Sequence, residues 1–199
     1  MSELVRPASA IDGVRYGAIG RAVDERGAFR ELWRASAATR VDEGVVASTD
    51  APGQQAPYVQ ANLSTSARGV LRGLHLHRRQ DDHWLVTRGR AFVALVDVRP
   101  MLADPTASPV VETRELVEDG WVDIPMGVAH GFLAMEPMDL VYFVTNEYDG
   151  TDELGFTWDD PLAAVPWPDL PGGLILSGRD RTNPSLADLV AELRTSARA

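Results

Sequence analysis

Between about residues 14 and 160 the chain is a succession of short apolar or alternating segments, each closed by turn residues before a helix-length pattern can develop. The clearest, 91–98, is apolar enough to be buried on both faces and is bounded by Gly89 and Pro100. Others are predicted at 14–22, 29–33, 58–64, 83–87, 113–117, 121–124, 131–135, 140–145 and 154–157. Many short strands at this spacing predict an all-β sandwich or barrel. The end of the chain differs. Asn183-Pro184 reads as a helix start with proline at the first helical position, and Leu186, Leu189, Val190 and Leu193 then form one apolar stripe. The expectation is a single domain over 1–199, with a barrel over about 14–160 and a short C-terminal helix over about 184–196 docked on it.

Composition narrows the chemistry. There is no cysteine, and all 19 strongly basic side chains are arginine. Without lysine, side-chain Schiff-base formation and ammonium catalysis are excluded; without cysteine, so are disulfides, thiol catalysis and thiolate-bound zinc. A net charge of −10 argues against nucleic-acid or anionic-membrane binding. Residues 1–7 lack the pattern of a secretory signal, and 91–96, the longest useful apolar stretch, is too short to cross a bilayer, which points to the cytoplasm. Residues 68–99 carry seven arginines against three acids, whereas 100–199 carry five against eighteen. The positive stretch reads either as a solvated face or as a pocket for an anion such as a diphosphate.

Four histidines exist, and His75-Leu-His77 places two rings on one face of a strand. Gly69, His75, His77, Asp82 and Gly89 resemble the first motif of the cupins, the double-stranded β-helix (jelly-roll) proteins, with Asp in place of the usual Glu. Pro125-x-Gly127-x-x-His130 resembles the second. A narrower resemblance runs from residue 24 to residue 180. Its words are Asp24-Glu25-Arg26-Gly27 with Phe29 and Glu31, Gln60-Ala-Asn62, Arg68-Gly-Val-Leu-Arg-Gly-Leu-His75 and Val96-Asp-Val-Arg99. They continue with Ile124-Pro-Met-Gly-Val-Ala-His-Gly-Phe132, Tyr142, Tyr148, Trp158-Asp-Asp-Pro161, Trp167-Pro168 and Ser177-Gly-Arg-Asp180. Together they resemble the dTDP-4-dehydrorhamnose 3,5-epimerase family.

The resemblance implies a homodimeric, cofactor-independent cupin acting on a dTDP-linked 4-keto-6-deoxyhexose. It makes His75 the base, Asp180 its partner, Tyr142 the proton donor and Tyr148 the aromatic that stacks on the thymine. It places Arg26, Glu31, Gln60, Asn62, Arg72, His130, Glu153 and Arg179 against the substrate. The chemistry fits: epimerisation beside a ketone needs a base, enolate stabilisation and an acid on the opposite face. The bland alternatives are a buried structural role for Tyr142, Tyr148 and His130, and turn or packing roles for the glycines.

Two departures stand out. Where the family carries a lysine that stabilises the enolate, this chain reads His83-Trp84-Leu85-Val86, and Trp84 aligns with the lysine. His83, Arg78 or Arg79 are candidate replacements for its charge. Second, His77 stands where the epimerases more often carry an amide. His75, His77, Asp82 and His130 offer an alternative site for Fe, Mn, Ni or Zn, whose Lewis acidity would replace the ammonium. On that view His75 is either ligand or base. Three readings follow: an epimerase at C3 and/or C5, a metal-dependent cupin isomerase or dioxygenase, and a non-catalytic nucleotide-sugar binder.

Overall fold

In the computed structural model the described residues are 8–34 and 58–196. Residues 1–7, read above for a secretory signal, lie outside them. The strands are β1 (Arg15–Ala18), β2 (Ala22–Asp24), β3 (Gly27–Phe29), β4 (Gln60–Ser66), β5 (Leu71–Leu76), β6 (Asp82–Arg88) and β7 (Arg90–Asp97). After α1 (Arg99–Ala103) come β8 (Val110–Val117), β9 (Gly120–Ile124), β10 (Val128–Ala134), β11 (Met138–Val144) and β12 (Leu154–Gly155), then α2 (Gly178–Thr182) and α3 (Leu186–Ser196). Two five-stranded antiparallel sheets, ordered β1-β9-β6-β11-β4 and β12-β5-β10-β7-β8, make the jelly roll, and β2 and β3 form a separate hairpin.

Strand β7 explains why its sequence is apolar throughout. Val93 and Leu95 point between the sheets, where they meet Val86, Val122, Ile124, Val128 and Leu140. Ala94 and Val96 point the other way, beneath Leu186, Leu189, Val190 and Leu193 of α3. Each side chain of the stripe removes apolar surface worth about 1.5–3 kcal/mol from water, which pins the helix to the sheet.

The helix begins two residues later than the Asn183-Pro184 word predicts. Ser185 takes the capping role: its Oγ accepts from the Asp188 amide at 3.1 Å, while the Asp160 carboxylate accepts from the Leu186 amide at 2.8 Å. The strand predicted over 29–33 is also displaced. The chain instead turns at Asp24-Glu25-Arg26-Gly27, where the Asp24 carboxylate accepts from the Arg26 amide at 2.9 Å and Gly27 has a φ of +131°. Pairing ends at Phe29. Arg30 then bonds to the Thr87 carbonyl, Glu118 and Asp119 through its side chain.

Candidate active site

A cavity of about 420 Å³ opens between the sheets. One wall comes from alternate residues of β4, β11 and β6: Gln60, Asn62 and Ser64; Leu140, Tyr142 and Val144; Asp82 and Trp84. Register sets this wall, because Tyr142 pairs with Asn62 on one side and with Trp84 on the other. The facing wall is Arg72 and His75 of β5 with His130 and Phe132 of β10. His130 pairs with His75 and Phe132 with Arg72, so β5 carries one extra residue between them. That bulge lets two residues three apart reach the same cavity. Gly73 lies inside it, where a Cβ would stand 2.6 Å from the Gly131 Cα. His77, Gln80, Tyr148, Glu153 and Arg179 complete the lining.

His75 is held from behind. Its Nε2 lies 2.7 Å from Asp180 Oδ1, and Asp180 is almost completely buried. The Nε2–H therefore donates to the carboxylate, and Nδ1 keeps its lone pair. Asp180 is positioned by α2: Ser177 Oγ accepts from the Asp180 amide at 3.0 Å and donates to Asp180 Oδ2 at 2.8 Å. Burial pushes this carboxyl up, but bonds from His75, Ser177 and the Gly73 N–H outweigh it and hold it below its ordinary value of 3.8. Burial, reinforced by the nearby Asp82 charge, raises the Tyr142 hydroxyl above its usual range.

Nine of the residues expected at the site line this one cavity: Gln60, Asn62, Arg72, His75, His130, Tyr142, Tyr148, Glu153 and Arg179. Arg72 sits at the mouth with Ser66 Oγ at 3.3 Å and, among the described residues, no ion pair; Arg179 pairs with Glu153. Arg26 and Glu31 do not line it. They are exposed on and after the β2–β3 hairpin, paired with Asp24 and Arg34. The positive stretch is not an anion pocket as a whole. Arg72 alone of its seven arginines lines the cavity, while Arg78, Arg79, Arg88, Arg90 and Arg99 pair with nearby acids.

The candidate substitutes for the lysine charge also lie elsewhere. His83 points out of the opposite face of β6, with Nδ1 2.6 Å from Asp123 Oδ1 among Tyr58, Trp121 and Phe143. Arg78 and Arg79 are exposed, their amides donating to Asp152 Oδ2 at 2.9 and 3.0 Å. Trp84 itself is buried, edge-on to His130 and Phe132, and its Nε1–H donates to Asp82 Oδ2 at 3.1 Å. The four-residue metal set also changes. His77, Asp82 and His130 bring ligand atoms within 4.8 Å of one another, and His75 is not among them because Asp180 holds it apart. Ser177 enters the sequence analysis only as part of the Ser177-Gly-Arg-Asp180 word and without a role, although Ser177-x-x-Asp180 has the spacing of a reciprocal cap. Gln80, whose Nε2 donates to Asp82 Oδ1 at 2.7 Å, carried no such signal.

A jelly roll whose inter-sheet cavity is lined by a partly exposed histidine paired with a buried aspartate, a tyrosine and two arginines is an enzyme-like site of the cupin type, and comparison with known proteins places it among the carbohydrate epimerases. Residues 8–188 match the model of the dTDP-4-dehydrorhamnose 3,5-epimerase family, and the chain belongs to that family. Similar proteins include the dTDP-4-dehydrorhamnose 3,5-epimerase of Escherichia coli, 33% identical over 84% of this chain and 86% of the relative. The dTDP-4-dehydrorhamnose 3-epimerase of Streptomyces niveus is 35% identical over 73% of this chain and 69% of its own. Among solved structures, the Legionella pneumophila 3,5-epimerase in complex with dTDP-4-keto-L-rhamnose superposes with a TM-score of 0.74. It is 30% identical, covering 93% of this chain and 94% of that one.

Proposed function

We propose that the protein epimerises a dTDP-linked 4-keto-6-deoxyhexose at C3 and/or C5, by removing the proton beside the ketone and returning one to the opposite face. The observation that carries this reading is the 2.7 Å His75–Asp180 contact at the wall of a cavity that Tyr142 also lines. Nδ1 of His75 is the base, and Asp180 orients the ring and stabilises the imidazolium that forms. Tyr142 is the acid: a hydroxyl that resists ionisation keeps its proton until the enolate takes it. Exposed Tyr148 offers a face for the thymine, and Arg72 and Arg179 at the rim suit a diphosphate.

A homodimer belongs to the same reading. Val23 and Phe29 of the hairpin expose 70% and 72% of their surface, and the hairpin carries the Arg26 expected at a substrate but remote from its own chain's cavity. A second copy covering the hairpin would account for both. Activated sugars built from nucleotides place the reaction in the cytoplasm.

Solvent-deuterium incorporation into dTDP-4-keto-6-deoxyglucose is the test. The protein should label the sugar, and His75→Ala should slow labelling by about 10²–10⁴-fold, the usual worth of a positioned base. Undiminished labelling by His75→Ala would overturn the assignment. Tight dTDP binding with no labelling would favour a non-catalytic binder.

A further inference from the structure

The cavity contains a second constellation that the His75–Asp180 pair does not use. His77, Asp82 and His130 each offer one ligand atom, all within 4.8 Å of one another. Asp82 and His130 are buried. His77 Nδ1 lies 2.8 Å from the Asp152 carbonyl, and His130 Nδ1 lies 3.0 Å from the Val128 carbonyl. A carbonyl only accepts, so both Nδ1 atoms carry the proton and both Nε2 atoms are left as lone pairs. His130 Nε2 stands 3.7 Å from Asp82 Oδ2, too far for a hydrogen bond. Asp82 is steadied by Gln80 and Trp84 at its two oxygens, yet among the described residues no arginine neutralises it.

Each member thus has an outer partner that fixes its orientation, and each keeps an unused electron pair on the cavity side. That is how ligands of a transition metal are held. A metal with bonds of about 2.0–2.2 Å to nitrogen and oxygen separates neighbouring ligand atoms by roughly 3–4 Å, and the 3.7 Å contact falls in that range. Charge points the same way. A buried carboxylate without a cation is costly, and it would repel an enolate forming in the same cavity. The alignment of Trp84 with the family's lysine removes the ammonium that would offset that repulsion.

We propose that His77, Asp82 and His130 bind one divalent transition-metal ion that faces the cavity and serves as the electrophile in place of the missing lysine. The electrophile role rests on the epimerase reading above; the metal site does not. Imidazole–carboxylate sets suit zinc, iron, manganese and nickel, and any of these polarises a ketone oxygen. Because His75 stands outside the set, the base and the metal ligands are different residues, and the conflict raised by the sequence disappears.

The full chain, stripped with a chelator and dialysed, should bind about one cobalt(II) or zinc(II) per chain by calorimetry, and cobalt should give visible absorption bands. His77→Gln, at a partly buried position, should weaken binding by about 10²-fold or more, as should Asp82→Asn. Trp84→Phe, which removes the donor to Asp82 together with part of the ring packed against His130, should weaken it by about 10–100-fold, the usual worth of an outer partner. Absence of stoichiometric binding, or affinity unchanged in His77→Gln, would overturn the site, whatever the sugar assay shows. Deuterium labelling on the same preparations separates the readings. Binding with labelling restored on reloading supports both, binding without labelling in either state upholds the site and rejects the epimerase, and equal labelling by stripped and loaded protein rejects the electrophile role.

Discussion

Tyr142 and His75 occupy opposite sheets, which is what proton removal from one face and return to the other requires. Tyr142→Phe should therefore still exchange the sugar's α-proton with solvent while forming little inverted product, measured by deuterium content against product stereochemistry. Asp180 makes a prediction about stability. Its folded-state pKa is depressed, so its contribution is fully present above the ordinary value of 3.8 and is lost as pH falls through the lower native value. Asp180→Asn should cost about 1–3 kcal/mol at pH 7, and the deficit in urea midpoint should shrink below about pH 4. At this scale the sequence was informative about identity and silent about company. The resemblance found His75 and Asp180, but only the fold shows that Trp84 donates to Asp82 and that His83, one residue earlier, looks out of the opposite face. Side chains alternate along a strand, so an immediate neighbour in sequence points away from the cavity and cannot stand in for a lost cation there.

Elements were legible where burial is symmetric and obscure where side chains end them. β7 was readable because a strand between a core and a covering helix must be apolar on both faces. The strand expected over 29–33 lies earlier, because the tight Asp24–Arg26 turn starts pairing at Gly27 and the short partner strand ends it at Phe29, and the onset of α3 is shifted by the Ser185 cap. The β5 bulge was invisible, since an extra residue in one strand shows only when the partner is aligned beside it. Gly131→Ala tests it: the added Cβ would meet the Arg72 carbonyl at 2.8 Å and displace β5. Urea unfolding should register a loss of about 1–3 kcal/mol, typical of overpacking, with slower deuterium labelling as Arg72 and His75 shift. Leu189→Ala in α3 should cost about 2–5 kcal/mol by the same measurement, because the buried stripe has no room to relax without leaving a void.

The whole molecule adds the question of partnership. With a chain mass of 21.6 kDa, sedimentation at micromolar concentration should report twice that value. Phe29→Asp should yield a monomer with an intact barrel and weaker labelling, since a charge on the hairpin would be desolvated in any interface. The jelly roll also separates the His75–Asp180 pair by 105 positions, the aspartate lying on the return segment after the last barrel strand. At ribosomal speeds of about 5–20 residues per second, roughly 5–20 s pass between the emergence of the base and that of its partner. During that interval the nascent chain can build most of its sheets while its histidine remains without a partner. On the proposed mechanism a message or chain cut short before Asp180 would leave His75 without its partner.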